Sequence, residues 1–175
     1  MNTTTLKILL ASMTFSLLIS VPASAASSQQ TWSTLMEQYT QTQNEQFNAQ
    51  DNVDSFETYL AEHPDNALAE LYTASSYCFI GRDAWMPWNK LDAANTCIDK
   101  METALTHIEQ QYPDNSEQRL RSYLTFGLTG AALPDRFQMY QVSQDILNKA
   151  KNHPAFSRLP EKLQLQVFNI LSGKQ

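Results

Sequence analysis

Three histidines, two cysteines and one short run of tryptophan, arginine and aspartate are the side chains of this 175-residue chain that could do chemistry. His63, His107 and His153 stand far apart, and no two share the i, i+4 spacing that sets a pair of imidazoles on one helix face to hold zinc. His63 and His153 each precede a proline at an expected helix end, where an imidazole meets exposed carbonyls and the negative end of the dipole. A Cys–His nucleophile pair meets only in the fold, so spacing leaves Cys78 and Cys97 open to that role. Both sit on apolar stripes, however, where burial disfavours the reactive thiolate. There is no glycine-rich phosphate loop, no Gly-x-Ser-x-Gly elbow and no Cys-x-x-Cys motif. Asp92, Asp99, Glu102 and Glu109 follow the outer face of one long helix, where solvation is the default. These residues imply no metal, no cofactor and no catalytic group, and the expectation is a protein that binds rather than converts.

Two places have the residue types of a binding site. The segment Arg82-Asp83-Ala84-Trp85-Met86-Pro87-Trp88-Asn89 concentrates two tryptophans and an arginine, the types most enriched at binding hot spots. Arg82, Trp85 and Trp88 would form the rim of a partner or ligand pocket. The competing expectation is that both indoles plug a gap left by a long loop, that Asp83 pairs with Arg82, and that Asn89 caps the next helix together with Asp92. The second place is a concave helical face carrying Glu70, Ser76, Arg119 and Ser122, on which Arg119 and Arg121 offer forks for the carboxylate of an acidic or C-terminal peptide.

The elements that must position these residues are helices. Pro64, Asn66, Leu71 and Gly81 recur forty-nine residues later as Pro113, Asn115, Leu120 and Gly130, and Tyr77 and Phe126 each stand thirteen positions after their proline. Recurrence at a fixed offset marks repeat architectures, in which each unit buries its apolar face only against a stacked neighbour. Four glycines and few β-branched runs leave little material for strands. Trp32, Leu35, Met36 and Tyr39 form one helical stripe; Val53, Phe56 and Leu60 form a second, with Asp51 or Asn52 to cap its start and His63-Pro64 to end it. A third helix runs from Asn66 to Gly81, where the glycine is the expected stop. Leu91, Ala94, Ile98, Met101, Leu105, Ile108 and Tyr112 define the longest. Leu120 to Gly130 gives the next, Pro134 opens another carrying Met139 to Ala150, and Leu159 to Leu171 closes the chain.

Asn66-Ala67-x-Ala69, small Ala74, Tyr77 and Gly81 resemble the first helix of a tetratricopeptide repeat (TPR), and Pro113 resembles the proline that closes one. The resemblance spans roughly residues 56–150 and departs from the family in its spacing, since forty-nine residues exceed the usual ~34. The run from Arg82 to Lys90 also looks like one found in bacterial exported proteins of this type with no assigned function. Membership would imply a concave surface for a partner and no chemistry of its own. The fold expected is all-α, antiparallel helix pairs stacked as a short TPR-like α-solenoid.

Lys7, the apolar run Ile8 to Val21 and Ala23-Ser24-Ala25 together read as a secretory signal cleaved after Ala25. The run is too short for a membrane span of roughly twenty residues. Residues 26–175 then form one helical-repeat domain, with N-terminal helices over 31–63, repeats over 64–112 and 113–152, and a capping helix over 157–172. Loss of Lys7 leaves 11 basic against 18 acidic residues, a net charge of −7. An acidic exterior repels phosphate backbones and anionic bilayers, which excludes nucleic acid as the expected partner and leaves a protein or peptide. Localisation would be periplasmic or secreted. In that oxidising space Cys78 and Cys97 are either bridged or two small buried thiols. On the two arms of one hairpin they would be offset by about 10 Å at ~1.5 Å per residue, and a bridge needs Cα atoms within roughly 7 Å. The leading expectation is an exported, non-catalytic scaffold for a peptide or protein; the alternative is a periplasmic small-molecule-binding protein using a pocket at Trp85 and Trp88.

Overall fold

A computed structural model describes the backbone of residues 23–173 and the side chains of residues 31–173; the expected leader lies, up to residue 22, outside the described residues. The fold is all-α. Its helices are α1 (Ala23–Gln43), α2 (Ala49–Glu62), α3 (Ala67–Asp83), α4 (Pro87–Gln111), α5 (Glu117–Ala131), α6 (Met139–Lys151) and α7 (Glu161–Leu171), with short 3-10 turns at Asp135–Phe137 and Phe156–Arg158, and no strand occurs among the described residues.

Local chemistry sets most of these boundaries. The Asn48 side chain accepts from the N–H groups of Gln50 and Asp51, Asn66 from Ala69, and Ser116 from Arg119, so three helices begin on an oxygen that satisfies otherwise orphaned donors. Neither Asp51 nor Asn52 caps α2: the helix starts earlier, and Asn52 is buried, its amide donating to Ser76 Oγ at 2.7 Å. Asn89 is no cap either, because Pro87 takes the first position of α4, where its missing N–H costs nothing. Pro134 opens only the 3-10 turn; Gln138, at φ 56°, breaks the chain before α6 starts at Met139. The closing helix is shorter than its apolar spacing suggests, because Pro160 separates it from the turn at Phe156–Arg158.

Helices α3 and α4 form an antiparallel hairpin, and the contacts that define it run in opposite directions along the two chains: Cys78 with Cys97, Glu70 with His107, Asp65 with Gln111. Gly81 does not stop α3, which continues to Asp83. It sits where α4 crosses: a Cβ there would lie 3.3 Å from the Lys90 carbonyl oxygen and 3.6 Å from the Ala94 nitrogen. Gly130 does the same in the second hairpin, where a Cβ would meet Ser143 Oγ and would lie 3.6 Å from Met139 Cε. Lys90 and Ala94 are forty-nine residues before Met139 and Ser143, so the repeated glycine touches the same two positions of the partner helix in both copies. The sequence repeat is thus a repeat of packing.

Gly127 is the tightest such point with an apolar neighbour, since a methyl group there would lie 2.5 Å from Cγ of the fully buried Leu147. Overpacking of this kind costs ~1–3 kcal/mol, against the ~1 kcal/mol that alanine gains over glycine in a helix. Gly127→Ala is therefore expected to lower the urea denaturation midpoint, whereas Gly81→Ala, facing contacts of 3.3 Å and more, should leave it nearly unchanged.

Two clusters of apolar side chains hold the layers together. The larger runs from Leu71 and Ala74 through Met101 and Ile108 to Leu120, Phe126, Leu147 and Val167, joining α3 to α7. The smaller packs α1 against α2 and α3 through Leu35, Tyr39, Phe56, Ala69 and Tyr72, with Trp32 edge-on to Phe56 and Tyr72. Burial raises the Tyr39, Tyr72 and Tyr112 phenols above the usual 10, and burial with the hydrogen bond to Glu57 pushes Tyr77 up to about 12. Below pH 10 these phenols are neutral in both states; above it the unfolded chain ionises first, so stability falls as pH rises. The denaturation midpoint should stay level up to about pH 10 and drop between there and 12, with tyrosine ionisation followed by ultraviolet absorbance delayed relative to denatured protein.

Candidate functional site

The connection between α3 and α4 is only Ala84, Trp85 and Met86, because α3 runs two residues past Gly81 and α4 begins at Pro87. The expected long loop is a tight turn. Cys78 and Cys97 are joined in a disulfide with Cα atoms 5.3 Å apart. Cys78 lies five residues before the end of α3 and Cys97 ten after the start of α4, an offset of ~7 Å at 1.5 Å per residue. Extended backbone at Ala84 and Met86 carries the chain past the end of α3 before α4 returns, and three residues at ~3.3 Å each absorb the difference. Neither sulfur is left as a thiol, so a Cys–His nucleophile has no place here.

Arg82 is the clasp of this turn. Its guanidinium grips Asp83 through two oxygens at 2.6 and 3.0 Å, donates to the carbonyl oxygens of Thr42 and Gln43 at 3.1 and 3.3 Å, and lies over the Phe79 ring. The Asp83 carboxylate, its largest influence, holds the cation more firmly protonated than usual. Thr42 and Gln43 end α1, so Arg82 meets the carbonyls at the negative end of that helix, adding to the Glu45 N–H that already bonds Thr42, while orienting the α3–α4 turn. Its hydrogen-bonding capacity is largely used inside the protein.

The tryptophans are outside. Trp85 is 84% exposed and Trp88 59%, so neither plugs a gap in the core, and the packing expectation for them is overturned. A turn this short leaves no gap to fill. The pair stands on a mount fixed by the disulfide, the Arg82–Asp83 pair and Pro87.

Of the second expected face, Arg121 is exposed and Glu70 half-buried, but the other three residues are inside. Ser76 and Ser122 are fully buried, and Arg119 is 7% exposed. The Arg119 guanidinium reaches back to the end of α4, donating to the carbonyl oxygens of Tyr112, at 2.9 Å, and Glu109, and to the Tyr123 hydroxyl at 3.0 Å. Asp114 at 3.0 Å and Glu109 at 3.7 Å balance its charge. It caps α4 as Arg82 caps α1, and no fork is left for a ligand. Glu70, the equivalent position one repeat earlier, is half-buried and bonded to His107 Nδ1 at 2.7 Å. The other histidines are engaged locally: His63 packs on Tyr59, and His153 Nδ1 accepts from the Ala155 N–H.

A cavity of about 750 Å³ opens beside this turn, with walls from the ends of α1, α3 and α5, the first turns of α4, the α5–α6 connection and α7. Neither tryptophan lines it. Of the candidate site residues, only Arg82 and Cys78 reach it, together with Gly81, Ala94 and Pro134 from the helix pattern; Lys90, Arg136 and Phe137 also line it but carry no local signal, because five separate stretches of chain contribute its walls. Comparison of the chain with protein-family models, with curated proteins and with solved structures finds no match. No described helix is long and apolar enough to cross a membrane.

Proposed function

We propose that the protein is an exported, non-catalytic helical-repeat scaffold, TPR-like in its stacking of α1/α2, α3/α4 and α5/α6, that engages a protein or peptide partner through the α3–α4 turn. The observation that carries this reading is the exposure of Trp85 on the turn and Trp88 in the first turn of α4, beside the disulfide and the Arg82–Asp83 pair. Trp85 almost entirely and Trp88 in part offer aromatic area for a partner to cover, and no loop must be ordered first. The disulfide and the leader-like residues 1–25 support an oxidising compartment, periplasmic or secreted. A small-molecule pocket built on Trp85 and Trp88 has no enclosing walls to support it.

The test is a photo-crosslinking amino acid at position 85, compared with position 102 on the exposed side of α4, in cells producing the protein. A discrete adduct from 85 alone, lost in the Trp88→Ala background, is expected. The Trp85→Ala/Trp88→Ala double variant should keep its denaturation midpoint to within ~0.5 kcal/mol, since both side chains are solvated. Equal or absent adducts at both positions, or a double variant that unfolds, would remove the proposal.

A further inference from the structure

The chain carries 18 acidic and 12 basic residues, yet among the described residues the charged side chains lining the 750 Å³ cavity are Arg82, Lys90 and Arg136, all cations. Arg82 is already held by Asp83 and by the end of α1. Lys90 and Arg136 differ: neither has a carboxylate within 4 Å among the described residues. Lys90 makes one long bond, 3.4 Å, to the Arg82 carbonyl oxygen, and Arg136 lies over the Phe137 ring. Between these charges the walls are apolar, formed by Phe79, Leu128, Leu133, Phe137 and Leu163. The volume falls within the ~300–1,000 Å³ of small-molecule sites.

We propose that this cavity binds an acyl carboxylate of fatty-acid type, its chain against the apolar walls and its headgroup between Lys90 and Arg136. Charge complementarity selects an anion, and the walls select its body. A peptide would bring an N–H and a C=O for every residue, each needing a partner once covered, and among the described residues the neutral polar side chains available are only Gln43, Thr129 and Gln166. An acyl chain has no such requirement. The site is separate from the exposed tryptophans, so it stands or falls independently of the partner-binding role.

The experiment is displacement of the fluorescent fatty acid cis-parinarate from the purified protein by decanoate, dodecanoate, tetradecanoate and hexadecanoate below their micellar concentrations. Affinity is expected to rise about fourfold per methylene until the cavity is filled. Lys90→Gln/Arg136→Gln should weaken hexadecanoate at least tenfold while leaving the denaturation midpoint and the crosslink from position 85 unchanged. The methyl ester should bind at least tenfold more weakly than the acid to the parent protein and equally to the double variant. No displacement, an ester that competes as well as the acid, affinity indifferent to the two cations, or stronger competition by an apolar peptide with a free C-terminus would each overturn the proposal.

Discussion

Arg119→Met is expected to destabilise the protein by about 2–4 kcal/mol, since each buried acceptor left without its donor costs about 1–3 kcal/mol and the charge partners Asp114 and Glu109 stay solvated or paired. Methionine keeps the aliphatic stem but none of the donors. The Tyr112 and Glu109 carbonyls at the end of α4 would then lose the guanidinium donor, and the Tyr123 hydroxyl would keep only its 3.4 Å bond to the Glu109 carboxylate. Because Arg119 is anchored on α5, its loss also removes polar ties between α5 and the end of α4, leaving the apolar packing of Leu105 and Ile108 near Leu120 and Leu124. A domain of this size has ~5–15 kcal/mol in total, so the variant should unfold at a markedly lower urea concentration, with a melting temperature about 4–16 °C down. Asp114→Asn is the contrast. Asp114 faces solvent, and its pair with Arg119 should contribute less than ~1 kcal/mol. If Arg119→Met matched Asp114→Asn, the guanidinium would be a surface charge and the capping role would fail. The charge reversal Arg119→Glu, which on sequence alone probes a binding face, should behave as a folding mutation.

Reduction of the Cys78–Cys97 bridge is the second large effect. Closing a loop with nineteen residues of separation restricts the unfolded chain by about 3 kcal/mol. Cys97 is fully buried, so serine there would add an unsatisfied hydroxyl to the lost cross-link; chemical reduction of the parent protein isolates the cross-link itself. Denaturation with and without a phosphine reductant should show the midpoint fall by that amount, and a thiol assay on the untreated, denatured protein should find none free. A midpoint indifferent to reductant would mean the hairpin is already fixed without the bond. The loss should also loosen the mount of Trp85, since the disulfide lies one to two turns below it.

Much of the helical plan is legible from residue order because it depends on neighbours in the chain. The spacing of Leu91, Ala94, Ile98, Met101, Leu105 and Ile108 marks α4 without reference to any other element. Pro64 and Pro113 fall between helices because proline cannot continue one, and Asn66 caps α3 through a bond three residues away. The offset of forty-nine also carries information about packing, since Gly81 and Gly130 meet equivalent positions of α4 and α6.

Gly81 also shows the limit. A glycine that ends a helix and one that lets two helices touch are the same letter, and only the position of α4 separates them. Arg119 was legible as a polar helix position but not as a buried one, because its long side chain folds back to a helix end ten residues earlier in the chain. Trp85 and Trp88 were legible as unusual; their exposure followed from a turn of three residues, whose length depended on where α3 stopped.

Sequence by itself determined most of the helices, the boundaries at Pro64, Asn66 and Pro113, and the repeat, which act through bonds and contacts a few residues long. Tertiary structure alone decided that the two sulfurs meet, that Arg82 and Arg119 close helix ends instead of a ligand, and that Lys90 and Arg136 share an apolar cavity. Each of those depends on distances between segments tens of residues apart, which are set by how the helices pack and by no local preference.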